Sequence, residues 1–342
     1  MNTITAIILA AGKGTRMKSS QAKVLHEVFF KPMLHHVLDT VKAAGIEKTA
    51  VVIGHQHERV SQSLSGYTFT PVRQAEQLGT GHAVLCAEEA CANSETIIIL
   101  CGDTPLIRPA TLQAMISHHR DMNSTLTLMT TLLADPFGYG RIIINANEQV
   151  TGIVEEKDAT PDQRKIREIN AGIYLVDRQF LFTALRQIGP DNSQGEVYLT
   201  DIAAIANRQG HTVNRFIHPD PVDVLGVNSR VELAQAHTEL QRRRNTELML
   251  SGVTMYGPET IYIAQGIPVG PDTIINPGVQ ITGSSSVGIG CLIETGVALH
   301  NCTIANNAII GAWSYLINWP VQPSEYIAPR TFRPEDHPQD AP

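Results

Sequence analysis

Residues 9–26 read LAAGKGTRMKSSQAKVLH, and the fold of the first half of the chain follows from this stretch and its flanks. The preceding run, residues 4–9, is apolar and short, as expected of a first β-strand buried on both faces. Ala10, Ala11, Gly12 and Gly14 then clear side chains from a tight turn. Bare backbone in such a turn lets N–H groups approach something bulky, and a row of free N–H groups is a cradle for phosphate. Lys13, Arg16, Lys18 and Lys23 bring four positive charges into or beside it. Arg16 offers a two-pronged donor for phosphate oxygens and Lys23 a compact point charge. A plain strand-to-helix turn with solvated basic residues explains the same pattern. The spacing is neither that of a P-loop nor that of a dinucleotide fingerprint.

Working outward, the 342 residues leave room for one to three domains. Apolar residues make up 43% and charged ones 17%, a balance suited to a soluble protein with a sizeable core. A net charge of −7 without a long basic block argues against nucleic acid as a partner. The five cysteines show no short paired spacing and read as small buried hydrophobes in a reducing compartment. Neither a signal peptide nor a membrane span is expected, which makes the cytoplasm the default location. The pairs His35-His36 and His118-His119, and His55 with His57, have no acid or cysteine at ligand spacing and are not read as a transition-metal site.

The pattern predicts a helix over 32–44 stopped by Gly45, a strand over 49–53, a helix over 83–91 and a strand over 97–100. Alternation through residue 120 argues for an open sheet with helices on both faces, the doubly wound, Rossmann-like α/β class. Residues 72–83, VRQAEQLGTGHA, form a loop before a helix, with Thr80 as a candidate cap. The Gln74 amide donates and accepts together, as the edge of a nucleobase requires, and Gly79 and Gly81 allow close backbone approach. Asp103 follows a central strand at its carboxyl end, where open α/β sheets place ligands. There it serves either as a Mg²⁺ ligand, alongside substrate phosphates, or as a turn cap. Asn228 offers a neutral amide oxygen as a second metal ligand, or is a turn residue. Thr200 reads as a cap for a helix beginning near 202.

These motifs, LAAGxGTRM with a lysine before VLH, QAEQLGTGHA, GDTPL, GYGR, EINAG and GEVYLTD, resemble those of the sugar-phosphate nucleotidyltransferases. Within that family they are most similar to the uridylyltransferase half of the bacterial bifunctional N-acetylglucosamine-1-phosphate uridyltransferase/glucosamine-1-phosphate acetyltransferases. The resemblance implies a Mg²⁺-dependent transfer of uridylyl from UTP to N-acetylglucosamine 1-phosphate, with Arg16 and Lys23 as catalytic residues and Asp103 and Asn228 on the metal. It implies substrate contacts at Leu9, Ala10, Ala11, Gly12, Gly14, Lys23, Gln74, Gly79, Thr80 and Asn228, and sugar contacts at Gly140, Glu155 and Asn170. One departure is visible: the family carries proline before the lysine where this chain has Ala22, so a looser loop is expected. The same chemistry on another sugar or base, or a non-catalytic regulatory subunit on this fold, are the alternatives.

The nucleotidyltransferase domain is assigned to 1–229 and a linker helix to 230–250. From 251 to 319 apolar residues recur every six positions with interspersed glycines, the mark of a short left-handed hexapeptide β-helix. Ile304 breaks the period by one. Residues 320–342 hold six prolines and are read as a disordered tail. The resemblance implies a homo-oligomer, a trimer as in β-helix relatives. Because the hexads run only to about 312, no acetyltransferase activity is expected.

Overall fold

The computed structural model describes residues 3–190 and 192–333. Contacts divide the chain into one unit of residues 1–27 and 31–232 and a second of 28–30 and 233–342.

The first unit is built on a mixed sheet whose strands we number β1 Ile4–Ala10, β2 Lys48–Ile53, β3 Thr70–Arg73, β4 Thr96–Cys101, β5 Leu126–Leu132, β6 Arg141–Ile144, β7 Val150–Val154, β8 Glu168–Asp177 and β9 Val213–Ile217. The main path runs β9-β5-β8-β4-β1-β2-β3, with β6 and β7 paired beside β8. All neighbours on that path are parallel except β8, which runs antiparallel to both β4 and β5. Alternation sorts the side chains into two cores. Ala6, Ile8, Ile98 and Leu100 face the helices Met33–Ala43 and Pro109–Asp121, while Ile7, Ile97 and Ile99 face Arg178–Leu185 and Ile202–Arg208. The chain leaves β1 toward β2 on one side and β4 lies on the other, so the crevice beyond their carboxyl ends is the switch point where such sheets bind ligands.

Local differences from the sequence reading have local causes. The helix expected over 83–91 begins earlier, as Thr80–Leu85, and passes into a separate turn, Glu89–Cys91. Thr200 lies in a 3-10 turn and caps nothing; its hydroxyl donates to Glu155 Oε1 at 3.1 Å. Ala22 does not loosen its loop. Its φ of −54° already lies where proline would hold it, and its N–H, which proline lacks, donates to Gln56 Oε1 at 3.0 Å. Gln56 also donates to Ser20 O, so one side chain ties both strands of the loop.

The second unit is a parallel β-helix of three sheets, with five, five and three strands among the described residues. Ile275, Ile293, Ile310 and Ile327 stack on one wall and Ile281, Leu299 and Leu316 on another, with Val287, Ile304 and Val321 on the third. The break at Ile304 is a register change: coils shorten from 18 to 17 residues there and the stacking continues. The run therefore does not end near 312, and the reading of 320–333 as disordered is corrected. Pro320–Val321, Tyr326–Ile327 and Phe332–Arg333 are coil strands, with Val321 and Ile327 buried. Pro320 fits because it stands on the last described strand of its sheet, and the bonds to the preceding coil use the carbonyls of Trp319 and Val321 rather than its own missing N–H. Residues 334–342 of the expected tail lie outside the described residues.

Residues 233–250 of the helix Arg230–Leu250 do more than connect. Gln241 donates to Glu259 O and Ile261 O, both at 2.9 Å, and Asn245 to Pro258 O at 2.7 Å and Ile261 O at 2.9 Å. Arg244 reaches Ile267 O. Polar side chains buried on the helix thus satisfy the carbonyls at the open rim of the first coil.

Candidate functional site

The crevice beyond β1 and β4 is a cleft of about 580 Å³. The turn from Leu9 to Arg16 forms one wall, Lys23 and Val24 the floor, and Gln74, Gln77, Gly79, Thr80 and Ala83 the opposite wall. Cys101, Asp103, Glu196 and Asn228 close it. Residues read from the sequence as phosphate, base and metal contacts, from Leu9 to Asn228, line one cavity.

At its centre Lys23 Nζ donates to both Asp103 Oδ2 and Asn228 Oδ1. The Lys23 and Asp103 side chains are 12% and 20% exposed, so the pair is half-sheltered. Asp103 is fixed by the main chain, since its carbonyl accepts from Val227 N at 2.8 Å. Asn228 is oriented by its own Nδ2, which donates to Gly226 O at 3.1 Å. A carboxylate and a carboxamide oxygen converging on one cation are the hard-oxygen donors that a divalent ion takes. No cluster of three or more His, Cys, Asp or Glu side chains forms a metal site among the described residues, so an ion here would complete its shell with ligand oxygens. Arg16 stands exposed at the rim.

Gln74 is buried, with Nε2 donating to Gly79 O at 3.2 Å and facing His82 Nδ1 at 3.1 Å. The amide is thereby held in one orientation. Gly79 and Gly81 face a requirement that the sequence did not reveal. A Cβ on Gly79 would stand 2.5 Å from Val197 O, and one on Gly81 2.9 Å from Val197 Cγ1. The loop of residues 74–81 is stitched to this segment by Val197 N donating to Leu78 O and Gly81 N to Val197 O, both at 2.8 Å. Thr80, at the helix start, uses its hydroxyl to accept from Leu199 N at 3.1 Å.

Gly140, Glu155 and Asn170 gather in a second group. Asn170 N donates to Gly140 O at 2.9 Å, and a Cβ on Gly140 would lie 3.5 Å from both Glu155 oxygens. The pairing of β8 with β5 slips between Asn170 and Tyr174. Such a bulge re-aims side chains: Asn170 Nδ2 donates to Tyr174 Oη at 2.6 Å and Gly172 N to Asn170 Oδ1 at 3.1 Å. Burial pushes the Glu155 carboxyl above its ordinary range, against the Thr200 hydrogen bond. Burial likewise raises Asp201, with nearby Asp158 adding to it. Cys101 joins the two groups. It lines the cleft and donates weakly to Gly172 O at 3.8 Å, and burial pushes its thiol up to about 12. The sequence reading took it for an ordinary core cysteine and passed over Gln77 and Glu196. Cys101 adjoins GDTPL, and Gln77 and Glu196 lie within QAEQLGTGHA and GEVYLTD, the last a motif whose family role is near the active site; those places are what could have marked them.

A glycine-rich turn, a basic pair and a carboxylate meet at the switch point of this sheet, an arrangement suited to holding phosphate groups beside a cation. The MobA-like NTP transferase domain matches residues 6–165. A 2.76 Å crystal structure from Bacillus anthracis, titled a glucose-1-phosphate thymidylyltransferase in complex with a sucrose, shares the fold. Its TM-score is 0.56 at 21% identity, over 68% of this chain and 94% of that one. The bifunctional protein GlmU of Desulfotalea psychrophila is 49% identical over 327 residues, 95% of this chain and 96% of its own. Those of Pelobacter propionicus and Syntrophotalea carbinolica are 46% and 45% identical, over 92% of this chain and 69% and 68% of theirs. The chain belongs to the GlmU family.

Proposed function

We propose that the enzyme transfers uridylyl from UTP to N-acetylglucosamine 1-phosphate, giving UDP-N-acetylglucosamine and diphosphate, with Mg²⁺ as its metal. The observation that carries the reading is the convergence of Lys23, Asp103 and Asn228 beneath the glycine-rich turn. A phosphate oxygen of the sugar phosphate attacks the α-phosphorus in line. The bond from that phosphorus to the bridging oxygen breaks, and diphosphate leaves with the electron pair. The nucleophile is already ionised near neutral pH, so positioning and charge neutralisation supply the catalysis. Backbone N–H groups of residues 10–14 and the charges of Arg16 and Lys23 hold the triphosphate and the departing diphosphate. Asp103 and Asn228 would hold Mg²⁺, which would supply neutralisation of the phosphate oxygens. Gln74 reads the base, with Gly79 and Thr80 beside it, and Gly140, Glu155 and Asn170 take the sugar.

Diphosphate release measured across a panel of nucleotides, sugar 1-phosphates and divalent ions tests the reading. Preference for UTP, N-acetylglucosamine 1-phosphate and Mg²⁺ is expected; release with no pair would leave a non-catalytic subunit. The β-helix exposes Tyr315 and Phe332 as a stacked pair with ring centres 5.5 Å apart. This supports self-association through that unit, which we read as the trimer of its β-helix relatives, and light scattering should give a mass well above 37.3 kDa.

A further inference from the structure

We propose that the ion pair between buried Arg141 and half-buried Glu156 is a positioning device for the sugar subsite, resting on the reading of Gly140, Glu155 and Asn170 given above. Each partner is the chain neighbour of a sugar-subsite residue, Arg141 of Gly140 and Glu156 of Glu155. Because β6 and β7 pair antiparallel, these two neighbours stand together behind the group they flank. Arg141 is 1% exposed. Its Nη2 donates to Glu156 Oε2 at 2.6 Å and to Arg164 O at 3.4 Å, and its Nη1 donates to Tyr139 O. The same Glu156 oxygen accepts from Gly138 N at 3.2 Å, and Arg164 Nε lies 3.6 Å from the other oxygen. The backbone of 138–139, just before Gly140, is thus gripped from both ends of one salt bridge.

A guanidinium sealed from water is tolerated only when its charge is paired and hydrogen-bonded. Arg141 meets that demand at its two terminal nitrogens, which order loop backbone, while its Nε is left without a partner among the described residues. Arg141 is sealed from solvent, and Glu156 is turned onto Arg141 and the Gly138 amide, so their effect on the reaction passes through Gly140 and Glu155. Arg141 also lies close enough to oppose the burial that raises the Glu155 carboxyl. Breaking the pair at Glu156 therefore loosens the loop that carries Gly140 and leaves the sugar subsite less ordered.

The test varies sugar phosphate and UTP separately for Glu156→Gln, Glu156→Ala and the parent, with melting temperatures measured alongside. Glu156→Ala should raise KM for the sugar phosphate about tenfold, the loss of a charge-assisted contact, and Glu156→Gln by about threefold, with KM for UTP within about twofold of the parent. Hydrogen exchange at the Gly138 amide should quicken in both. An unchanged sugar-phosphate KM, or equal rises for both substrates tracking the melting temperature, would overturn the proposal. If Glu156→Ala does not fold, Glu156→Gln carries the comparison through the same two readouts. The sugar 1-phosphate used is whichever the parent turns over fastest, so a wrong substrate assignment shows in the parent's panel and a wrong positioning role only in the variants.

Discussion

Gly79→Ala is expected to be among the most damaging single-methyl additions in the α/β unit. Gly79 has φ 114° and ψ 174°, a region that residues with a Cβ occupy only at about 1–3 kcal/mol of strain. The new carbon would also stand 2.5 Å from Val197 O and 2.7 Å from Val197 N, about 0.9 Å inside ordinary contact. Neither neighbour is a flexible side-chain end, so residues 196–197 must move as backbone. That movement breaks the two 2.8 Å bonds joining Val197 to Leu78 and Gly81, at about 1 kcal/mol each. Together these give about 3–5 kcal/mol of destabilisation, or a drop of about 10 °C in the melting of this unit. Because the displaced segment leads through Leu199 and Thr200 to Glu155, the KM values for UTP and sugar phosphate should both rise. Urea unfolding and two-substrate kinetics on the variant test this. A loss below about 1 kcal/mol with unchanged KM would refute the packing argument.

Asp103→Asn should lower kcat by about 10²–10³ at saturating Mg²⁺ while the fold survives, since Lys23 keeps Asn228 as a partner; turnover near that of the parent would remove Asp103 from the metal. Gln74→Ala should weaken UTP binding and blur discrimination against CTP, and an unchanged UTP-to-CTP ratio would place base reading elsewhere. Burial holds the Glu155 carboxyl above its usual range, so its ionisation costs folding stability, a cost absent below the unfolded-state pKa and complete above the folded one. Glu155→Gln should therefore melt higher than the parent at neutral pH, with the difference shrinking as pH falls through the acid range, and should bind sugar phosphate more weakly; melting differences independent of pH would contradict this. Ala22→Pro should change stability by no more than about 1 kcal/mol, the lost Gln56 bond offsetting a stiffer unfolded chain, and Gln56→Ala should cost less in that background than in the parent.

The parts of the fold legible in the sequence are those set by repeated burial. Six-residue spacing of Ile, Val and Leu marks a β-helix because each inward position meets its equivalent in the next coil. A single dropped corner residue at 304 leaves that inward set intact, so what looked like an ending was a 17-residue coil. The prolines of 320–333 misled because composition alone does not say on which side of a strand a missing N–H falls. In the site, the residue types of Lys23, Asp103, Asn228 and Gln74 carry their chemistry openly, and the structure brings all four to one cleft. Their supports were illegible. That Gly79 yields to the Val197 backbone, that Gln56 replaces a proline's constraint, and that Arg141 is buried against Glu156 all depend on contacts between distant segments. Neither periodicity nor local spacing encodes such contacts.

The helix that seals the first β-helix coil gives the solenoid a direction. With Gln241, Arg244 and Asn245 occupying the carbonyls of that rim, no further coil and no foreign strand can join there. Growth by duplication of a 17- or 18-residue unit is then confined to the opposite side, where each addition finds the template left by the one before. The helix acts as the zero mark of a ruler. Coil number becomes a quantity that evolution or an engineer can change by whole steps, with the start of the stack left undisturbed.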